Sequence, residues 1–428
     1  MPFAALDLHR KMVESVILDD QGAVLYRDRF PATREALEDF ARPHLSHQHK
    51  VALEATTNTW AVADLLRPYA QEVVISNPLR TRAIATAKIK TDRVDALVLA
   101  QLLRSDYLPG VWHPDQQTQI ARRRSTNRAV LVSDRTRVKN RIHAVLHQRL
   151  IPAPSGDLFS QRNLEWLAAQ PLDPDGRAAL DCNLRLLAHI EGELDIFNRE
   201  LAAHAYQSET VKLLMTLPGV DVAVAETLLA ALGDVSRFPT ADQAAAYLGL
   251  APSTYQSGEH CYHGRITKQG RGHARWMLVQ AAQHLGNHPG PLGVFFRRVA
   301  QRKTRNVAVV AAARKLVTIA WHMLKNKEPY RYAQPHTTEA KFSRLRINAG
   351  GAKKRSGSPK GTARSANYGT GLGTRAIPAL NQVYTGEQLP PCKDLKPGER
   401  KAIAQKGLTA WFEDISRPKR VPRSKAAG

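Results

Sequence analysis

Lys88-Ile89-Lys90-Thr91-Asp92-Arg93-Val94-Asp95-Ala96-Leu97 opens an apolar helix that continues through Val98, Leu99, Leu102 and Leu103. Thr91 suits the N-cap, and Asp92 and Asp95, three residues apart, fall on neighbouring faces of the first turn. Acids there favour the positive end of the helix dipole, so the pair alone reads as an ordinary helix start. What it means depends on the chain before it. Phe3-Ala4-Ala5-Leu6-Asp7-Leu8 has the pattern of a strand and Val13 to Leu18 of a second, and Asp19-Asp20-Gln21-Gly22 turns into a third through Val24, Leu25 and Tyr26. A helix from Thr33 to about Leu45, a strand Lys50-Val51-Ala52-Leu53-Glu54, a helix from Thr59 to Tyr69 and a strand Glu72-Val73-Val74-Ile75 lead to the Asp92 helix.

The order β-β-β-α-β-α-β-α over residues 1–108 predicts a ribonuclease H-like α/β domain. In that order Asp7 lies on the first strand, Glu54 at the end of the fourth, and Asp92 with Asp95 on a later helix. A carboxylate inside an apolar strand is costly to bury alone. Four that converge raise one another's pKa values unless a divalent cation neutralises them. Hard oxygen ligands fit Mg²⁺ or Mn²⁺, and two such ions roughly 3.5–4 Å apart can activate an attacking oxygen and stabilise a leaving one in phosphoryl transfer. Taken singly, each acid reads more simply as a solvated strand-end acid; it is the four together on the expected elements that point to a metal.

The 428 residues carry 62 Lys and Arg against 38 Asp and Glu, a net charge of +24, so the expected partner is a polyanion, most simply nucleic acid, with an anionic membrane surface as the competitor. No signal peptide and no apolar run of membrane-spanning length is read, which predicts a cytoplasmic protein. Cys182, Cys261 and Cys392 are too few and too scattered for a disulfide framework or a zinc site. From residue 115 to 208 the chain reads as a helical middle. A helix from Gln119 to Leu150 is dense in Arg, Pro152 and Pro154 break it, and a second runs from about Arg177 to Tyr206. Leu180, Leu187, Leu194 and Leu201 recur every seven residues there, a seam that fits either a hairpin within the chain or a coiled coil between subunits. The Arg-rich face would follow a nucleic-acid backbone or simply be solvated.

Residues 209–330 read as a third, mainly helical region. Leu217-Pro218-Gly219-Val220 between two short apolar helices resembles a helix-hairpin-helix element, in which backbone N–H groups around Gly219 face a phosphate; simple helix packing is the alternative. Further on, Tyr247-Leu248-Gly249-Leu250-Ala251-Pro252, Gln256-Ser257-Gly258 and Arg265-Ile266-Thr267-Lys268-Gln269-Gly270-Arg271-Gly272-His273-Ala274-Arg275 read as a glycine- and hydroxyl-rich loop crowded with cations, suited to the close approach of a phosphodiester. By residue type Ser257, Tyr255 and Ser253 are all candidate nucleophiles, and Ser257-Gly258 is also a common turn pair. Trp276 and Trp321 read as packing residues. From residue 331 to 428, 20 Lys and Arg stand against 6 Asp and Glu, which predicts a basic, largely disordered tail able to clamp nucleic acid, with a linker at 350–360 and a short helix around Ala402 to Phe412.

Two separate motifs, Ala-Leu-Asp7-Leu-His-Arg-Lys with Leu-Glu54-Ala-Thr and Lys90-Thr-Asp92-Arg-Val-Asp95-Ala, and Gly249-Leu-Ala-Pro with Gln256-Ser257-Gly258, Arg265-Ile-Thr-Lys268-Gln-Gly and Arg275, resemble the insertion sequence 110 (DEDD-type) transposase family of bridge-RNA-guided DNA recombinases. The resemblance covers residues 3 to about 330. It implies a Holliday-junction-resolvase-like metal site on Asp7, Glu54, Asp92 and Asp95, a catalytic serine at Ser257, and a helical coiled-coil middle that joins subunits into a dimer or tetramer. DNA and a structured guide RNA are the partners it implies; by the reading of the residues, Gly219, Arg265, Lys268, Arg271 and Arg275 are the candidate nucleic-acid contacts. Thr57-Asn58-Thr59-Trp60 departs from the Gly and Tyr the family often carries after Glu-Ala-Thr, and the chain continues beyond the family's usual end. Two other functions fit the residues: a metal-dependent junction endonuclease with no covalent intermediate, and a non-enzymatic nucleic-acid-binding protein.

Overall fold

Buried strands in a sheet covered on both faces read as apolar runs, and the first and fourth strands here do, apart from Asp7 and the terminal Lys50 and Glu54. The computed structural model describes residues 1–84, 91–350 and 374–422, so Lys88 to Lys90 of the opening motif and all but Gly350 of the 350–360 linker lie outside the described residues. The chain divides into two units, Met1–Asp115 and Gln116–Gly428.

The first unit comprises β1 (Phe3–Leu8), β2 (Met12–Leu18), β3 (Val24–Pro31), α1 (Arg34–His44), β4 (Lys50–Glu54), α2 (Thr59–Leu66), β5 (Glu72–Ser76), α3 (Pro78–Ile84), α4 (Asp92–Arg104) and a short β6 (Gly110–Val111). The sheet order is β3-β2-β1-β4-β5-β6. The first three strands form an antiparallel meander, β4 lies parallel to β1, and β5 parallel to β4. Ala4, Leu6, Val51 and Leu53 point to one face, under Leu37 and Phe40 of α1 and Val62 and Leu66 of α2. Phe3, Ala5, Val16, Leu18 and Ala52 point to the other, under Ala96, Leu99, Ala100 and Leu103 of α4. This alternation is what aims the acids of the next section. The sequence reading had no α3; Asn77 Oδ1 accepts from the N–H groups of Leu79 and Arg80, and Pro78 takes the first helical position, a legible helix start.

The second unit comprises α5 (Gln116–His147), α6 (Gln161–Ala168), α7 (Pro174–Gln207), α8 (Glu209–Met215), α9 (Val222–Leu232), α10 (Ala241–Tyr247), β7 (Pro252–Ser257), β8 (His260–Ile266), α11 (Gly272–Ala282), α12 (Pro291–Arg302), α13 (Arg305–Asn326), α14 (Pro335–Ala349), β9 (Thr374–Ile377), α15 (Leu380–Gly386), α16 (Pro397–Gln405), α17 (Thr409–Ile415) and β10 (Lys419–Pro422). All four heptad leucines of α7 are buried, and Leu180 and Leu187 pack with Val138, Ile142, Val145 and Leu146 of α5. The seam is therefore satisfied inside one chain, by an α5–α7 hairpin.

Four expectations fail in this unit. The boundaries at 208 and 330 have no counterpart, because Ala202 and Ala205 share one core with α8 to α13 and with Phe342, Leu380 and Tyr384. Among the described residues the 331–428 segment is folded, not a disordered tail. Phe342 and Tyr384 are fully buried, and the Tyr384 hydroxyl donates to the Tyr330 carbonyl at 2.6 Å. The charge count masked sparse apolar residues, including Leu345, Val383, Leu389 and Ile415, which join that core. Residues 252–266, read as a loop, form an antiparallel hairpin around a Gly258-Glu259 turn, because Thr254, Tyr255, Tyr262 and Ile266 are strand formers that the surrounding glycines obscured. Finally, α13 is long and apolar enough to cross a membrane, contrary to expectation; Ala308, Val309, Ala312, Leu316, Val317 and Ala320 instead bury it in the core.

Candidate active site

Asp7 belongs to the set of β1 side chains, with Phe3 and Ala5, that faces α4, and Glu54 shares parity with Ala52 on the same face. The parallel register Leu6↔Leu53 then puts Asp7 and Glu54 side by side at the ends of neighbouring strands. Thr59 Oγ1 donates to the Glu54 carbonyl at 2.8 Å, fixing the end of β4. Across the face, Thr91 caps α4 by accepting from the Val94 N–H, which orients Asp92 and Asp95 in its first turn. The structure thus brings Asp7 and Asp92 together, sets Asp95 close enough for its charge to act on Asp7, and places Glu54 beside Asp7 by strand register.

Asp7 is only 5% exposed. Burial pushes its carboxyl pKa up, His9 pulls it down, and the nearby charges of Asp92 and Asp95 raise it further, for a net increase. A cation is the missing complement. His9 lies against the pair: its Nε2 is 3.0 Å from Asp7 Oδ2 and 3.2 Å from Asp92 Oδ1, and one ligand atom from each of the three residues falls within 4.8 Å of the others. The sequence reading missed His9, although it stands two residues after Asp7 and so on the same side of the chain. Glu14 pairs with Asp7 across the β1–β2 register. Hard carboxylate oxygens with one imidazole, around a buried acid destabilised by its neighbours, fit a divalent cation.

In the second unit, Ser257 ends β7, exposed, and pairs with His260 across the two-residue turn, where Gly258 adopts φ +57°. At the base of this hairpin two glycines let two loops interlock. Gly249 (φ +71°) abuts the backbone of Gln269, and Gly270 (φ +83°) abuts the Tyr247 carbonyl, so a Cβ at either would collide. Arg275 Nη1 donates to the carbonyls of Leu248 at 3.0 Å and Gln269 at 3.4 Å, stapling the two loops together. Arg265 and Lys268 are exposed. Arg271 lies beside the Tyr247 hydroxyl, which accepts from Arg122 Nη2 at 3.2 Å; burial would raise that phenol's pKa, but Arg122, Arg271 and Arg237 outweigh it and lower it. Arg122 and Arg237 also take the Ala230, Ala231 and Leu232 carbonyls that α9 leaves unpaired at its end. Gly219 has φ +76°, and a Cβ there would strike the Ala281 carbonyl of α11, so close packing alone requires this glycine. Trp321 is buried as expected, whereas Trp276 is 49% exposed.

The α8–α9 turn carries a feature no sequence pattern announced. Lys341 Nζ, from α14, donates to the carbonyls of Met215, Leu217 and Val220 at 2.7, 2.6 and 2.9 Å. A cleft of about 540 Å³ beside it is lined in part by Arg128, Gly219, Asp221, His284 and Arg344.

Residues 4–151 match the IS110-type DEDD transposase domain, and residues 211–293 match the domain described as transposase IS116/IS110/IS902 family. Among curated relatives, the putative transposase y4qE of Sinorhizobium fredii is 29% identical over 54% of this chain and 56% of its own length, so the match spans little more than half of that relative. The transposase for insertion sequence element IS1111A of Coxiella burnetii is 26% identical over 56% of this chain and 68% of its own. The pilin gene-inverting protein of Moraxella bovis is 26% identical over 65% and 80%. The DEDD domain carries with it the use of a divalent metal, and the Asp7, His9 and Asp92 cluster lies inside the matched residues. With the mixed α/β unit matched to the first model and a largely helical stretch of the second unit to the other, the chain belongs to the IS116/IS110/IS902 family of transposases.

Proposed function

We propose that this chain is the cytoplasmic DNA recombinase of an insertion sequence, cutting and rejoining DNA through a serine-linked intermediate. The observation that carries the reading is the convergence of Asp7, Asp92 and His9, with Asp95 and Glu54 alongside, on one face of the sheet. The strand order 3-2-1-4-5, with its antiparallel meander followed by two parallel strands, supports a ribonuclease H-like unit. Asp7, Glu54, Asp92 and Asp95 would hold Mg²⁺ or Mn²⁺, which supplies charge neutralisation at the attacking and leaving oxygens. Ser257 Oγ attacks the phosphorus of a phosphodiester. An O–P bond to the serine forms as the P–O3′ bond breaks, a base takes the serine proton, and the 3′ oxygen takes up a proton from solvent to leave as a hydroxyl. Bond energy is kept in the phosphoserine, and the reverse attack by a 3′ hydroxyl rejoins DNA.

The acids and the serine lie on different units, and their assembly into one site, between subunits of a dimer or tetramer, is part of the proposal. So are contacts of Gly219, Arg265, Lys268 and Arg271 with DNA backbone, and the delegation of target choice to a structured guide RNA. The large positive charge supports a nucleic-acid partner. Incubation with DNA spanning an element end and Mg²⁺, followed by denaturation, should trap a protein–DNA adduct that Ser257→Ala and Asp7→Ala both abolish. Cleavage at full rate by Ser257→Ala, with no adduct in either protein, would establish hydrolysis by the acids alone.

A further inference from the structure

Side chains two apart on a strand share a face, so the register of the β7–β8 hairpin fixes what accompanies the serine. Tyr255 pairs with Tyr262 and Ser257 with His260, and these four residues share one face with Ser253 and Gly264. The side of Gly264 is closed by Ser253 Oγ, with Tyr255 Cε2 at 3.7 Å from where a Cβ would stand. The two tyrosine rings stack at 5.1 Å between centroids and 16° between planes. Yet they are 55% and 63% exposed. A cross-strand aromatic pair stiffens a hairpin, but that role leaves the outer surfaces of both rings in water, beside the hydroxyl. Exposed Arg265 and Lys268 flank the base of the same hairpin, so a cationic setting surrounds the aromatic one.

We propose that Tyr255 and Tyr262 form a stacking platform for an unpaired nucleobase next to the phosphodiester that Ser257 attacks. The proposal rests on the reading of Ser257 as nucleophile and deepens it. A phenol ring stacks on any base, because every base has a π-face, and cations track the backbone at the same time. One strand step of two residues, about 7 Å, separates the tyrosine pair from the Ser257–His260 pair, within the reach of one nucleotide. A base still paired within a duplex cannot lie on this ribbon, so the strand must be locally unpaired where it is cut. The platform would contribute sequence-tolerant affinity and hold the phosphate in register with the hydroxyl.

The test uses the full chain and single-stranded oligonucleotides carrying 2-aminopurine, with the same sequence as a duplex for comparison. Wild-type protein should quench the single-stranded probe, and Tyr255→Leu/Tyr262→Leu should abolish quenching and weaken single-strand affinity by about tenfold, leaving the salt slope unchanged. Tyr255→Phe/Tyr262→Phe should retain both, which separates loss of stacking from loss of folding. Equal quenching by the leucine variant overturns the proposal. So does a fall in affinity accompanied by loss of self-association in sedimentation, which would make the face a contact between copies. Ser257→Ala should bind and quench like wild type; if it still forms an adduct, the nucleophile is reassigned while the stacking result stands.

Discussion

Lys341 offers a test of how burial and hydrogen bonding balance on one charge. Its ammonium meets three backbone carbonyls of the α8–α9 turn, and burial lowers its pKa from the ordinary 10.5 to about 7, with Asp221 opposing and Arg344 reinforcing the shift. Lys341→Met keeps the length and removes the donor. The neutral amine still donates to two of the three carbonyls; leaving those two unmet costs about 1–3 kcal/mol each, and water entering the neighbouring cleft recovers part, so a loss of about 2–4 kcal/mol is expected where the native lysine is neutral. Between pH 7 and 10.5 the unfolded chain holds the lysine proton and the folded chain does not, so wild-type stability climbs with pH across that window relative to the variant. From about pH 6.5 to about pH 9 the gain is at most about 2–3 kcal/mol. Urea unfolding of the full chain at those two pH values, with matched m-values, should therefore find the variant nearly neutral in mild acid and clearly destabilised in base. A wild-type advantage that shrinks as pH rises would refute the reasoning, because it would mean that the carbonyls hold the ammonium charged against the cost of burial.

Asp7→Asn should stabilise the metal-free protein by about 1 kcal/mol, since it removes a buried charge repelled by Asp92 and Asp95, and should erase the rise in melting temperature that Mg²⁺ gives the wild type, about 2.7 kcal/mol at a hundredfold excess over Kd; equal responses to Mg²⁺ in calorimetry would remove the acids from the metal site. Gly249→Ala combines a positive φ with a collision at the Gln269 carbonyl and should cost more than about 2 kcal/mol in denaturant unfolding, while Gly258→Ala, whose Cβ meets nothing, should cost about 1 kcal/mol. Tyr384→Phe, losing its bond to the Tyr330 carbonyl and its contact with the Thr216 hydroxyl, should destabilise by about 1–2 kcal/mol and Tyr384→Ala by about 3–5 kcal/mol; unchanged unfolding midpoints in both would detach the C-terminal segment from the core.

The residues most legible in the sequence were those that broke a local rule. An acid in Phe3–Leu8, where every other side chain is apolar, demands an explanation, and so does an acid closing the apolar run of β4; strand parity then brings both to the α4 face. Where the local rule was kept, the sequence misled. The 331–428 segment looked disordered because lysines and arginines outnumber the apolar residues that anchor it, and an average over charge cannot see that Phe342 and Tyr384 each fill a buried position. The β7–β8 ribbon looked like a loop because its glycines serve the interlock at Gly249 and Gly270 and the turn at Gly258, not chain freedom. Strand parity could place His9 beside Asp7 but not opposite Asp92, and Lys341 was beyond any periodicity. Each is defined by partners that converge only once distant segments pack: two carboxylates from β1 and α4 for one, three carbonyls of a turn for the other. Both place a nitrogen donor where oxygen atoms crowd together, so in each unit a basic side chain occupies a point that an inorganic cation could also favour. In the first unit that substitution is the more exchangeable, because His9 is half exposed and bonded to carboxylates, whereas Lys341 is held by three neutral carbonyls of the α8–α9 turn.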